Sequence, residues 1–300
     1  MLDDRPMITR RRFLVGSLAA AGWLCARPTA AASSGTDPNR WVLLSDTHIW
    51  EKRDQKYRNT NPAENFLQVR AEILALKPRP SGIIFTGDLV FLEGQAADYA
   101  VLADLVQPLR QAGIGLHFVL GNHDHRGNFW KAFPEAKPAA NPPVPDKHVA
   151  ILSAQRANWF LLDSLEKTKA TPGLLGKAQL EWLAKELDAR PDRPALVVAH
   201  HPRDLTGLEG LKDTGPLFDV LVPRKQVKAY IFGHTHRWSV SQYRGIRLIN
   251  LPTTAWLFDA KEPRGWVDVR LGSDGMTLTL NALDKKHKKH GETVEVTWRV

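Results

Sequence analysis

GLHFVLGNHDHR, residues 115–126, is an apolar run that stops in four side chains able to bind a metal, move a proton or close a turn: Asn122, His123, Asp124 and His125. Four other stretches stop the same way: WVLLSDTH at 41–48, SGIIFTGD at 81–88, ALVVAHHP at 195–202 and AYIFGHTH at 229–236. Uninterrupted apolar runs of this length read as strands buried on both faces. Open α/β sheets bind ligands in the crevice beyond the carboxyl ends of such strands. The five tips therefore bring Asp46, His48, Asp88, Asn122, His123, His200, His234 and His236 together, with Gly87, Gly121 and Gly233 letting the backbone turn sharply.

Between the runs the apolar period lengthens. Phe66, Val69, Ile73 and Leu76 share one helical face over 65–76, and Leu180, Leu183, Ala184 and Leu187 share another over 179–187. Val267, Val269 and Leu271 alternate with polar residues before Gly272–Gly275, and Met276, Leu278 and Leu280 alternate after it, the pattern of a hairpin. Residues 292–300 offer one more strand. Pro134 to Pro145 carries five prolines and no period, so it reads as a long loop. The sum is a mixed α/β domain over 41–300 with no internal repeat.

Composition sets further bounds. The 300 residues are 43% hydrophobic and 24% charged, an ordinary globular balance. Of the net charge of +9, five Arg against two Asp in residues 1–32 supply +3, leaving +6 for the rest, which mildly favours anionic ligands. The dense basic run at 285–289 has no interleaved aromatics and reads as a solvated loop, so no nucleic-acid binding is inferred. Residues 1–32 form a signal peptide: Thr9-Arg10-Arg11-Arg12-Phe13-Leu14, a short apolar stretch to Leu24, then Ala30-Ala31-Ala32. The apolar part falls short of the ~20 residues that span a bilayer, so no permanent anchor is expected. Its order resembles the twin-arginine export signal, which implies the twin-arginine export machinery as a partner and a periplasmic or secreted location. A polar linker is expected at 33–40. Cys25 is the only cysteine; cleavage after Ala32 would remove it, and any metal site in the mature chain would use nitrogen and oxygen donors.

Imidazole, carboxylate and amide oxygen suit divalent Mn, Fe, Co, Ni or Zn, and the tips hold too many donors for one ion. Two ions about 3.5–4 Å apart need a shared carboxylate and clamp the attacking and leaving oxygens of a displacement at phosphorus. Two divalent ions, two Asp and one hydroxide leave a net positive charge, which attracts phosphate.

In order along the chain, Asp46-x-His48, Gly87-Asp88, Gly121-Asn122-His123-Asp124, His200 and Gly233-His234-x-His236 resemble the calcineurin-like metallophosphoesterase superfamily over most of residues 41–254. That resemblance implies a four-layer α/β/β/α sandwich with two mixed sheets. It implies two divalent metals, one held by Asp46, His48 and His236, the other by Asn122, His200 and His234, with Asp88 bridging and a hydroxide between the metals as nucleophile. His123 would sit beside the phosphate as proton donor or phosphate holder, oriented by Asp124. His200 is taken as ligand because it stands two before Pro202; His201 is left between a supporting and a structural role, and His125 is unassigned.

Phe91 stands where purple acid phosphatases carry a metal-binding Tyr, and the Asp-Arg-Gly of protein Ser/Thr phosphatases is missing after Asp88. GNHDHR with a following helix and HHP resembles the cyclic-nucleotide and glycerophosphodiester phosphodiesterase branch. A small phosphate diester is the expected substrate, a monoester the alternative, and a non-catalytic scaffold would have lost ligands. Arg126 either touches the phosphate or pairs with a carboxylate, the latter favoured. Substrate choice is expected in loops 51–61, 126–148 and 203–216, and Trp50, Trp130 and Trp256 either stack on substrate or pack.

Overall fold

A computed structural model of the chain describes residues 35–138 and 140–300. The expected signal segment at 1–32, with Cys25, and the first two residues of the expected linker lie outside the described residues. Strands and helices follow in the order β1 (Thr36–Leu44), α1 (Pro62–Ala75), β2 (Arg79–Thr86), α2 (Ala96–Gln111), β3 (Gly115–Val119), α3 (Arg126–Ala132), β4 (Ala150–Ser153), β5 (Asn158–Leu161), α4 (Lys177–Asp188), β6 (Ala195–Val198), α5 (Thr214–Leu221), β7 (Val227–Phe232), β8 (Ser239–Tyr243), β9 (Ile246–Asn250), β10 (Gly265–Leu271), β11 (Gly275–Ala282) and β12 (Thr293–Thr297).

They make two six-stranded mixed sheets, ordered β12-β11-β10-β1-β2-β3 and β4-β5-β6-β7-β9-β8. β1, β2 and β3 run parallel, as do β5, β6, β7 and β9, so the polar tips of each parallel set emerge on one edge. The expected hairpin is β10 paired with β11, and β12 is the last expected strand.

Side-chain alternation sorts the strands into layers. Val42 and Leu44 of β1 and Ile83 and Phe85 of β2 pack with Phe66, Val69 and Ile73 of α1 and Tyr99, Leu102 and Val106 of α2. Trp41, Leu43 and Ile84 point the other way, into a core shared with Trp159, Leu196, Val198, Ala229 and Ile231 of the second sheet. Ala195 and Val197 of β6 and Tyr230 of β7 face Leu183 and Leu187 of α4 and Leu217 of α5. Three cores separate four layers, α/β/β/α, and the period of two on every inner strand produces them.

Local signals fix the helix ends. Asn61 caps α1 by accepting from Ala63 N (3.0 Å) and Glu64 N (3.1 Å), with Pro62 in the first turn. Two expectations need correction. Residues 36–40, read as linker, belong to β1, where Thr36 and Asp37 pair with Arg79 and Pro80 before a register shift ahead of Trp41. The polar start of a strand is still held by backbone bonds, which composition does not report. The loop expected at 203–216 ends in the first turn of α5.

Candidate metal centre

The tips of β1 and β2 are tied to each other by backbone bonds from Asp46 N to Gly87 O (3.1 Å) and from His48 N to Asp88 O (2.9 Å). Across the sheets, His234 N donates to Asp46 Oδ2 at 3.0 Å, and within the second sheet Gly233 N donates to His200 O at 3.0 Å. Such closeness demands glycine. A Cβ on Gly233 would stand 1.8 Å from Ser45 Oγ, and one on Gly121 would stand 2.3 Å from Asp88 Oδ1. Asp46, His48, Asp88, His234 and His236 all have φ between 43° and 68°. L-residues with side chains pay of order 1–3 kcal/mol for such backbone, and it persists where the surroundings over-determine it.

The donors fall into overlapping groups: Asp46, His48 and His236; Asp46, Asp88 and His200; and His200, His201 and His234. Asp88 Oδ2 lies between them, 3.3 Å from His200 Nε2 and 3.8 Å from His48 Nε2. Its other oxygen takes the N–H of His123 at 2.8 Å. His236 donates Nδ1–H to the Trp256 carbonyl (2.6 Å) and His200 donates Nδ1–H to the Thr86 carbonyl (2.9 Å), so both turn Nε2 inward. His236 Nε2 then lies 3.3 Å from both His48 Nε2 and Asp46 Oδ1, and His200 Nε2 lies 3.2 Å from His234 Nδ1.

These atoms fit cations. Asp46 Oδ1 and Asn122 Oδ1 are buried without a hydrogen-bond partner, an arrangement that costs free energy unless something positive sits against them. Burial disfavours ionisation of Asp46 and Asp88, yet His236 and His200 hold the first, and His200, His123 and His48 the second, well below the usual carboxylate range. Burial holds His48 down at about 3, and burial with the neighbouring His200 holds His234 at about 4, so both rings keep the neutral form that ligates metals. At His200 burial also opposes the charge, but Asp88 and Asp46 prevail and raise it to about 9. Divalent ions held there would supply the positive charge that these carboxylates demand.

The remaining predicted residues are less alike. His123 donates Nδ1–H to the Leu92 carbonyl at 2.7 Å, leaving Nε2 3.9 Å from Asp88 Oδ2 on a side chain that is 25% exposed. Asp124 does not orient it. Its buried carboxylate accepts from Gly121 N (2.8 Å), Leu89 N (3.2 Å) and Tyr99 Oη (2.8 Å), because three donors converge on the inner side of the turn. Arg126 does not face the centre as a phosphate ligand: it grips buried Asp163 through Nε (2.6 Å) and Nη2 (3.0 Å) and also bonds the Leu165 carbonyl. His125 caps α3, its Nδ1 accepting from Asn128 N at 3.2 Å. His201 is fully buried, with Nδ1 on Ser164 Oγ at 2.8 Å and Nε2 unpartnered. Trp256 is buried and stacks on His48 at 4.1 Å, while Trp50 stacks on Phe91 at 4.5 Å. Two rim residues escaped the sequence reading, Arg58 and Phe258, because neither stands at a strand tip; Phe258 lies two residues beyond Trp256 and stacks on His236.

The chain matches the model of the calcineurin-like phosphoesterase family over residues 40–238. It is 28% identical over 253 residues to the 3′,5′-cyclic adenosine monophosphate phosphodiesterase of Haemophilus influenzae, covering 79% of this chain and 87% of that one. It is 29% identical over 212 residues to a probable glycerophosphodiester phosphodiesterase of Arcobacter nitrofigilis, covering 68% and 74%. A dimetal phosphatase from Danio rerio shares the fold with a TM-score of 0.67 at 16% identity, covering 87% of this chain and all of that one. With the inward-turned histidines and the carboxylate between them, these matches make the chain a metal-dependent phosphoester hydrolase, a member of the calcineurin-like phosphoesterase family.

Proposed function

We propose that the protein is a phosphodiesterase with two divalent metals, exported across the inner membrane by the twin-arginine pathway to act in the periplasm or outside the cell. The position of Asp88 Oδ2 between His48 and His200 carries the two-metal reading. In it Asp46, His48 and His236 hold one ion, Asn122, His200 and His234 hold the other, and Asp88 is shared. Bound there, divalent ions supply Lewis acidity: they acidify water and offset the charge on phosphate oxygens. The chain does the rest. The carbonyls of Trp256 and Thr86 fix the tautomers of His236 and His200. With Nδ1–H committed to Leu92, His123 acts through Nε2, where a second proton can pass to a leaving alkoxide or hold a phosphate oxygen.

Both diesterase relatives support the diester reading over the monoester one. The test compares hydrolysis of bis(p-nitrophenyl) phosphate, p-nitrophenyl phosphate and 3′,5′-cyclic AMP by the Mn²⁺-loaded protein. Diester turnover exceeding monoester turnover is expected, and the reverse order would sink the reading. Asp88→Ala should lose both activity and bound metal, measured by elemental analysis; retention of two ions would remove Asp88 from the bridging position.

A further inference from the structure

We infer that Phe258 and Arg58 form a stacking subsite for the planar base of a nucleotide diester, at the rim of the metal centre. The inference rests on the diesterase reading and narrows its substrate class, favouring cyclic nucleotides over glycerol-based diesters. One wall of the centre is a chain of rings. His123 meets His48 edge-on at 5.3 Å, His48 lies 5.3 Å from His236, and His236 stacks on Phe258 at 4.3 Å with 23° between planes. His48 and His236 are buried, whereas Phe258 is 58% exposed. A single exposed aromatic is commonplace on a protein surface. One stacked on His236, three ring contacts from His123, lies where a base would reach it when the phosphate is bound.

Arg58 supplies the second half. Its guanidinium lies 5.4 Å from the Phe258 ring centre and 5.7 Å from that of Tyr57, and among the described residues it has no carboxylate partner. Arg58 and Asn59 occupy the middle of a tight turn closed by Tyr57 N to Thr60 O (2.8 Å) and Thr60 N to Tyr57 O (3.0 Å), with φ of 49° and 60°. Turns with two left-handed residues favour Asn-Gly, and a long side chain in the first position is disfavoured. The turn is nevertheless fixed: the Tyr57 ring packs edge-on against Trp256 (4.7 Å) and Phe91 (5.1 Å), and Thr60 Oγ1 accepts from Arg264 at 2.8 Å. A rigid wall thus holds out an exposed cation beside a partly exposed ring. A nucleobase offers π faces to both, and a glycerol headgroup offers neither.

The test uses Mn²⁺-loaded wild type, Phe258→Ala, Phe258→Trp and Arg58→Ala. Kinetics on 3′,5′-cyclic AMP and on glycerophosphoglycerol are compared, with binding of AMP and of ribose 5-phosphate measured by calorimetry. Phe258→Ala should raise KM for cyclic AMP and weaken AMP about tenfold, the usual worth of one stacked base. Ribose 5-phosphate binding, glycerophosphoglycerol kinetics and metal content should not move; Phe258→Trp should restore AMP binding, and Arg58→Ala should give a smaller loss in the same direction. Equal losses on ligands with and without a base would overturn the subsite. If no diester is hydrolysed, the diesterase reading fails, while the AMP to ribose 5-phosphate contrast still decides the subsite.

Discussion

Adjacent residues in Gly121-Asn122-His123-Asp124 do opposite things, and their partners say why. His123 keeps a ring nitrogen at the open side of the centre, whereas Asp124 faces inward and satisfies three donors from three separate elements of the fold. The two should therefore fail differently when truncated. His123→Ala should lower kcat at least tenfold while bound metal and the unfolding midpoint stay unchanged, since the side chain is partly exposed and its one hydrogen bond goes to the half-buried Leu92 carbonyl, which water can reach. Asp124→Ala should cost about 3 kcal/mol or more in urea unfolding, because it strands buried donors. A stable Asp124→Ala protein would mean that water satisfies them. Sequence could list the donors at the tips but could not say which way each points: Asp-x-His and Gly-Asn-His-Asp spacing is blind to the φ of 43–68° that aims the ligands.

At the level of elements, Arg126 illustrates how a helix start can imitate a binding residue. It opens α3, follows the histidine that caps that helix, and lies four residues from Asn122, yet its guanidinium spans to Asp163 just after β5. Asp163 is fully buried and also accepts from His148 N (2.8 Å) and Leu165 N (3.0 Å), so the pair joins the start of α3 to the second sheet. Removing one partner of such a pair costs roughly 3–5 kcal/mol. Arg126→Ala should lower stability by that order in urea unfolding with KM for a diester unchanged; a KM rise at unchanged stability would return Arg126 to the substrate. The strands were legible because apolar runs buried on both faces are distinctive. Four strands of the second sheet, β4, β5, β8 and β9, were not, since runs of four or five residues are too short to show a period.

Considered whole, the molecule divides its information unevenly. Periodicity yields a mixed α/β chain and the family resemblance adds two mixed sheets, but that β10 pairs with β1, more than 200 residues earlier, is a tertiary outcome that neither anticipated. The export reading belongs to residues 9–32, outside the described part. It predicts that changing both Arg10 and Arg11 to Lys traps the protein in the cytoplasm, measured by fractionation; undiminished export would remove the twin-arginine assignment. Folding before export suits a site assembled from strand tips scattered between residues 46 and 236, which exists only once the chain has folded.

The donors divide between the sheets: Asp46, His48, Asp88 and Asn122 follow strands of the first, and His200, His234 and His236 follow strands of the second. What holds those halves apart at working distance is the apolar layer of Trp41, Leu43, Ile84, Trp159, Leu196 and Ile231. That layer acts as a shim. Thinning or thickening it re-gaps the jaws without touching a ligand, so the calibration of this centre is written in hydrophobic side chains that never meet the substrate.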